Sequence, residues 1–227
     1  MTDARFARPP ASVLFDLDGT LVDTAPDFVH CLNIQRERHR MDPLPAPTIR
    51  AVVSDGAPGL IRLGFDLEPD HPDYAERHQE LLDLYGERLA VESRLFDGMD
   101  EVLGWLEEQR IPWGVVTNKP SAFTLPLMEG LNLSGRCGAT VCPDHVRQRK
   151  PHPESLFLAA RQLAVSPGDS IYVGDHVRDI DAGRAAGMAT VAARYGYISD
   201  PESVPGWRAT HIIDHSNELL ALLRPGG

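Results

Sequence analysis

Two periodicities share this chain, and the place where one gives way to the other divides it. Val13, Leu14 and Phe15 are consecutive apolar positions of the kind shown by a strand buried on both faces. From residue 24 the period lengthens. Thr24, Pro26 and Asp27 make a Thr-x-x-Asp start signal that predicts a helix reaching about residue 40. Pro43, Pro45 and Pro47 alternate through a loop, with Thr48 placed to cap a short helix. The run Ser54-Asp55-Gly56-Ala57-Pro58-Gly59 breaks that helix, and a further one starts at Leu60. Tyr74, His78, Leu81, Leu82, Tyr85 and Leu89 recur at helical spacing and predict a long amphipathic helix over 72–91. Residues 24–92 thus read as all-helical, with no strand.

From residue 93 strands and helices alternate. Met99, Val102, Leu103 and Leu106 predict a helix, 113–117 a strand, 121–131 a helix and 139–142 a short strand. Leu156, Phe157, Ala160 and Leu163 mark another helix; 170–174 is a strand, 179–186 a helix ended by Gly187, and 189–192 a strand. Repeated units of this kind predict an α/β fold with a doubly wound, mainly parallel, Rossmann-like sheet and helices on both faces. The helical block is then an insertion after the first strand. The predicted division is a core of residues 1–23 and 93–227 and a helical cap of 24–92. Its hinges fall near Asp23–Thr24 and Glu92–Asp97, and residues 1–12 read as a loose arm. No internal repeat or low-complexity segment interrupts the pattern.

Composition narrows the function classes. The 227 residues are 42% hydrophobic, which permits a full core with a smaller insertion. Net charge is −11, and no basic stripe exists to displace counterions, which argues against nucleic acid or an anionic membrane as partner. An anionic substrate gains no steering from such a field, so any phosphate site must be local. No apolar run approaches 18 residues, and the N-terminus has no signal-peptide pattern. Cys31, Cys137 and Cys142 lack Cys-x-x-Cys spacing and read as reduced, mostly core thiols. These features predict a soluble, cytoplasmic protein, and a monomer or homodimer is expected.

The chemistry gathers at strand ends. The first strand runs into Asp16-Leu17-Asp18-Gly19, two carboxylates that a strand's period would put on one face, followed by a glycine that allows a sharp turn. Buried carboxylates are costly unless they hold a cation or do chemistry. In parallel sheets ligands bind outside the carboxyl ends of the strands, where Thr117, Asn118, Lys150 and Asp175 also fall. Each has a plainer reading. Asp16 and Asp18 could be an acidic turn, Thr117 and Asn118 a strand cap, and Asp175 with Asp179 an acidic helix start. Lys119, beside Pro120, reads as a surface lysine rather than a rival to Lys150. The histidines show no metal-ligand spacing, and zinc is not expected. His176 reads as a neutral, solvent-facing imidazole or as a group that tunes a metal site.

As an ordered set these residues resemble a known family. Asp16-Leu17-Asp18-Gly19-Thr20-Leu21-Val22-Asp23, Thr117-Asn118, Lys150 and Gly174-Asp175-x-x-x-Asp179 are similar to the motifs of the haloacid dehalogenase superfamily of phosphohydrolases. The resemblance implies that Asp16 is a nucleophile accepting the phosphoryl group. Asp18 would protonate the leaving oxygen and then activate water. Thr117 and Asn118 would bind phosphoryl oxygens, and Lys150 would hold the nucleophile. Asp16, Asp175 and the Asp18 backbone carbonyl would hold Mg²⁺, with Asp179 supporting that shell. Mg²⁺ suits a site of a few carboxylates plus water and phosphate oxygens, and a carboxylate nucleophile divides hydrolysis into two easier steps. The insertion matches the superfamily's helical cap, with Ser54, Gly56 and Arg62 (or Arg50) as substrate contacts; equally, Gly56 and Gly59 only make a turn. Within the superfamily the chain looks most like the phosphoglycolate phosphatase group. Val116-Thr117-Asn118-Lys119-Pro120, Cys142-Pro143-Asp144-His145-Val146 and Arg194-Tyr195-Gly196-Tyr197-Ile198 also resemble enzymes acting on N-acetylmuramic acid 6-phosphate in cell-wall recycling. The substrate implied is a small phosphomonoester carrying a carboxylate. A haloacid dehalogenase or a sugar phosphate mutase on the same fold, and a non-enzymatic phospho-receiver, are the alternatives. Asp18 argues against the dehalogenase, and the cap with Asp18 against the receiver.

Overall fold

A computed structural model describes residue 6 and residues 9–224. Most of the predicted arm, residues 1–5, 7 and 8, lies outside the described residues. Phe6 donates its backbone N–H to the Leu222 carbonyl (3.2 Å) and meets the His211 ring edge-on.

In chain order the first elements are β1 (Ser12–Phe15) and β2 (Val22–Asp23). The helical block follows as α1 (Ala25–Arg38), α2 (Ala46–Arg50), α3 (Gly56–Phe65) and α4 (Tyr74–Gly86). The return begins with β3 (Arg94–Leu95) and α5 (Met99–Glu108), then β4 (Trp113–Val116), α6 (Ser121–Gly130), β5 (Ala139–Val141), α7 (Glu154–Gln162) and β6 (Ser170–Gly174). Helix α8 (Val177–Ala185), β7 (Ala189–Ala193), β8 (His211–Ile213) and α9 (Glu218–Leu223) complete it. Six strands form one sheet in the order β5-β4-β1-β6-β7-β8, with every pairing parallel. The doubly wound fold read from the sequence is the fold observed.

The uninterrupted apolar strands follow from burial on both faces. In β1, Val13 and Phe15 join the core beneath α5, α6 and α9, while Leu14 packs on the other face with α7 and α8. In β6, Ile171 and Val173 take the first side and Tyr172 the second. Each fully buried aliphatic side chain contributes about 1.5–3 kcal/mol, so a one-residue slip of either strand would exchange its two faces.

The insertion has a core of its own. Phe28, Leu32, Ile49, Leu60, Ile61, Leu81 and Tyr85 pack together, with the Phe28 and Tyr85 rings stacked at 3.9 Å. It has no strand, as read. Its details differ from expectation. Helix α1 ends at Arg38, and α4 is shorter than 72–91 at both ends. Thr48 caps nothing: α2 starts at Ala46 and Thr48 lies inside it, because Pro45 and Pro47 fix helix-compatible φ values at the first turn. Helix α3 begins at Gly56 rather than Leu60, with Gly56 at φ +70.

Two short strands that the sequence did not reveal carry the chain into and out of the insertion. In an antiparallel ribbon, β2 pairs with β3, Val22 opposite Leu95 and Asp23 opposite Arg94. The exit is pinned by buried Asp27 of α1, which accepts hydrogen bonds from Ser93 N (2.9 Å), Ser93 Oγ (2.6 Å) and Glu92 N (3.0 Å). The entry is held by the Tyr197 hydroxyl. It accepts from the backbone N–H of Thr24 (2.6 Å) and Ala25 (2.8 Å) and donates to Asp23 Oδ1 (2.7 Å).

Candidate active site

The parallel sheet sends the ends of β1, β4 and β6 to one edge, and the residues just past those ends are polar. Asp16 follows β1, Thr117 and Asn118 follow β4, and Asp175 follows β6. Asp179 lies in the first turn of α8, and Lys150 reaches the same edge from the loop after β5. All but Asn118 are buried.

Lys150 sits at the centre. Its ammonium is fully buried, 2.9 Å from Asp16 Oδ1 and 2.7 Å from Asp179 Oδ1. It also donates to the Val116 carbonyl (2.8 Å) and to the Tyr172 hydroxyl (2.6 Å). Asp16, Asp175 and Asp179 each offer a carboxylate oxygen, and these oxygens lie within 4.8 Å of one another. Among the described residues Asp175 has no cation partner of its own: it accepts from Thr20 Oγ1 (3.1 Å), Ser54 Oγ (3.0 Å) and Tyr197 N (2.9 Å). Three buried carboxylates thus face one ammonium. Burial first, then the charges of Asp16 and Asp179, pushes Asp175 up to about 7. Burial and the Asp179 charge raise Asp16 as well. An arrangement with this excess of negative charge and all-oxygen donors fits a hard divalent cation such as Mg²⁺.

The turn after β1 fits that reading. Gly19 has φ +83, and a Cβ there would stand 2.2 Å from Asp175 Oδ2, so only glycine lets the chain pass this close.

Asp18 departs from the simplest picture of two carboxylates on one face. Its side chain leaves the acidic cluster, because the chain turns after β1. Asp18 Oδ1 accepts from Thr24 Oγ1 (2.6 Å) and from Lys119 Nζ (2.9 Å). Lys119 is therefore no surface lysine. Its side chain is 7% exposed, and the ammonium stands over the Phe28 and Tyr85 rings at 4.8 and 4.5 Å. A buried, partnered cation on the acid is invisible in a Lys-Pro dipeptide read locally.

Thr117 Oγ1 accepts from Lys119 N (3.1 Å), and Asn118 Nδ2 donates to the Lys150 carbonyl (3.0 Å), so the amide ties the β4 loop to the lysine loop. His176 is half-buried rather than solvent-facing. Burial pushes it down to about 4, and its neutral Nδ1 accepts from Arg178 N while the Asp179 carboxylate accepts from His176 N, capping α8.

Of the predicted insertion residues Ser54 reaches the acidic cluster, through Asp175, with Arg178 donating to its carbonyl. Arg62 does not come to the site. It is 56% exposed and paired with Glu68 (2.7 Å), because it lies on the outer face of α3. Gly56 makes the turn into α3, and Arg50 pairs with Asp23 (2.7 Å) over the Tyr197 ring. Thr20, Thr24, Tyr172 and Tyr197 were missed, since each lies in an apolar or turn segment whose pattern gives no hint of a polar partner.

The chain covers 93% of its length in alignment with the N-acetylmuramic acid 6-phosphate phosphatase of Pseudomonas aeruginosa, at 45% identity over 94% of that protein. It is 36% identical to the phosphoglycolate phosphatase of Xanthomonas campestris pv. campestris, again over 93% of this chain and 96% of that one. A crystal structure of a predicted phosphoglycolate phosphatase from Haemophilus somnus superposes with a TM-score of 0.82 at 25% identity, covering 94% of this chain and 98% of that one. The profile of the haloacid dehalogenase-like hydrolases matches residues 13–193, a span that starts in β1, ends with β7 and takes in every strand-end residue described above. With that match and these relatives, the chain belongs to the haloacid dehalogenase-like hydrolase family.

Proposed function

We propose that this hydrolase is a Mg²⁺-dependent phosphatase that cleaves a small phosphomonoester through an aspartyl phosphate on Asp16. The observation that carries the reading is the buried Lys150 held between Asp16 and Asp179, with Asp175 beside them. Phosphoryl transfer needs positioning and countercharge above all, and this edge supplies a fixed carboxylate, an ammonium and an anionic cage for a cation. Asp16, Asp175 and the Asp18 carbonyl would hold the metal, with Asp179 supporting; when bound it would neutralise phosphate charge. Lys150 keeps Asp16 oriented for attack. Asp18 stands apart from the cluster, held by Thr24 and Lys119, where a carboxyl can pass a proton to the departing oxygen and later take one from water.

N-acetylmuramic acid 6-phosphate and 2-phosphoglycolate are the substrates of choice, because proteins named for them align over nearly the whole chain. Residues 24–92 act as the cap, moving about residues 23–24 and 92–97, and admit small molecules only.

Turnover of an aryl phosphate and of both candidate substrates tests this. Asp16→Asn should remove activity while leaving the fold intact, since an amide cannot form the acyl phosphate. Chelation should abolish activity and Mg²⁺ should restore it. Well-folded Asp16→Asn protein with substantial turnover, or full activity in metal-free enzyme, overturns the mechanism.

A further inference from the structure

The two arginines that the sequence offered for a substrate carboxylate are both engaged elsewhere, Arg62 with Glu68 and Arg50 with Asp23. A different cation stands against Asp18, the residue read as the acid. Lys119 Nζ touches Asp18 Oδ1 at 2.9 Å and lies over the stacked rings of Phe28 and Tyr85, which belong to the insertion. An ammonium carries three N–H donors. Among the described residues Asp18 is the one oxygen acceptor they meet, and the ring faces supply only a diffuse attraction.

A second observation points the same way. The Tyr85 hydroxyl is buried, with the residue 1% exposed, and it has no hydrogen-bond partner among the described residues. A buried hydroxyl left without a partner is costly, and such a group generally answers to a ligand or water. Its neighbourhood is that of Asp18: the Asp18 and Asp27 charges act on the Tyr85 phenol, and its ring is 4.5 Å from the ammonium. A donor in want of an acceptor and a cation with spare N–H groups thus meet beside the residue read as the acid.

The geometry points to a leaving-group subsite in which Lys119 and the Tyr85 hydroxyl hold a carboxylate of the substrate. This rests on the phosphatase reading and names the leaving group that the reading left open. A carboxylate satisfies both donors at once, since it accepts only and offers two oxygens. A neutral hydroxyl would leave the ammonium without a counter-charge beyond Asp18. Because Lys119 comes from the core and Tyr85 from the insertion, the subsite is complete only with the cap down. The substrate acid then selects for closure as well as for binding.

Two pairs of esters, one differing at the acid and the other by the whole lactyl ether that carries it, test the subsite. They are 2-phosphoglycolate against 2-hydroxyethyl phosphate, and N-acetylmuramic acid 6-phosphate against N-acetylglucosamine 6-phosphate. The wild-type enzyme should prefer the acid in at least one pair. Lys119→Met should lower that acid-to-neutral ratio of kcat/KM by about tenfold or more. Lys119→Arg should keep most of it, and Tyr85→Phe should raise KM for the acid more than it lowers kcat. The ratio is taken within one protein preparation, so incomplete folding of a variant cancels. A wild-type enzyme indifferent to the acid in both pairs overturns the subsite and leaves the phosphatase standing. So does an equal fall for both members of a pair in Lys119→Met, which would mean that Lys119 serves Asp18 alone. An enzyme inactive on every ester, aryl phosphate included, overturns both readings.

Discussion

Lys150 and Asp175 show how single residues carry the charge of the site. Among the described residues Lys150 is the one ammonium paired with Asp16 and Asp179; Lys150 and Asp179 are sealed from solvent, and the Asp16 side chain is 7% exposed. Replacing one member of such a buried set leaves uncompensated charge, a loss of about 3–5 kcal/mol. Lys150→Met should therefore lower the melting temperature by roughly 10 °C, and Mg²⁺ should raise it more in the variant than in the wild type. Thermal denaturation with chelator and with Mg²⁺ checks both. Asp175 gives a pH dependence whose sign is fixed. Its pKa stands at about 7 in the fold, above the ordinary 3.8, so the folded chain binds this proton more tightly than the unfolded chain does. The stability from this group is full below about 4 and is lost as pH rises towards 7. In metal-free protein, the stability of the wild type relative to Asp175→Asn should fall over that window, and Mg²⁺ should oppose the fall. A difference that stays flat with pH would show that Asp175 is not held in this way.

At the scale of elements, the junction between insertion and core depends on three short pieces: the β2–β3 ribbon, the N-terminus of α1 and the loop that carries Tyr197. The first N–H groups of a helix lack partners within it. Here Tyr197 from the core supplies an acceptor to Thr24 and Ala25, while Thr24 turns its own hydroxyl to Asp18 instead of capping α1. Tyr197→Phe should cost about 1–3 kcal/mol through the stranded N–H groups and should speed amide exchange at residues 23–25. Hydrogen exchange read by mass spectrometry gives the answer, and unchanged protection there would rule out the tyrosine as the clasp. Asp27 does the equivalent service at the exit, holding residues 92 and 93. Two-residue strands carry too few alternations to register as a pattern. For that reason the change of periodicity near residues 23 and 93 could be read from the sequence, while the ribbon that joins those two points went unread.

Across the whole molecule, the net charge of −11 sets the approach of any phosphate ester. A negative chain repels an anion at long range, and salt screens that repulsion over a Debye length of about 10 Å at 0.1 M. Raising ionic strength from about 20 to 200 mM at fixed Mg²⁺ should leave kcat/KM unchanged or raise it modestly. A steep fall would mean that a local positive field outweighs the global one. The buried position of Lys119 and Lys150 makes that outcome unfavourable, since both cations already face carboxylates. The contact of Ser54 with Asp175 adds a whole-molecule coupling, because the insertion and the carboxylate cluster share a hydrogen bond.

What the sequence determined by itself was whatever local period and order encode. Val13 to Phe15 and residues 170–174 had to be strands buried on both faces, and the amphipathic runs between them had to cover the sheet. Parallel topology then put the polar residues at the strand ends on one edge, so Asp16, Thr117, Asn118, Lys150 and Asp175 could be chosen without coordinates. Side-chain partnership across the fold was decided only in three dimensions. Lys119 and Arg62 look alike in sequence, a cation beside a turn and a cation on a helix, yet one is sealed against Asp18 and the other paired with Glu68 in solvent. The difference lies in which face each element turns towards the other domain. That is a property of the packing of α1 and α4 against the core, and no local period records it.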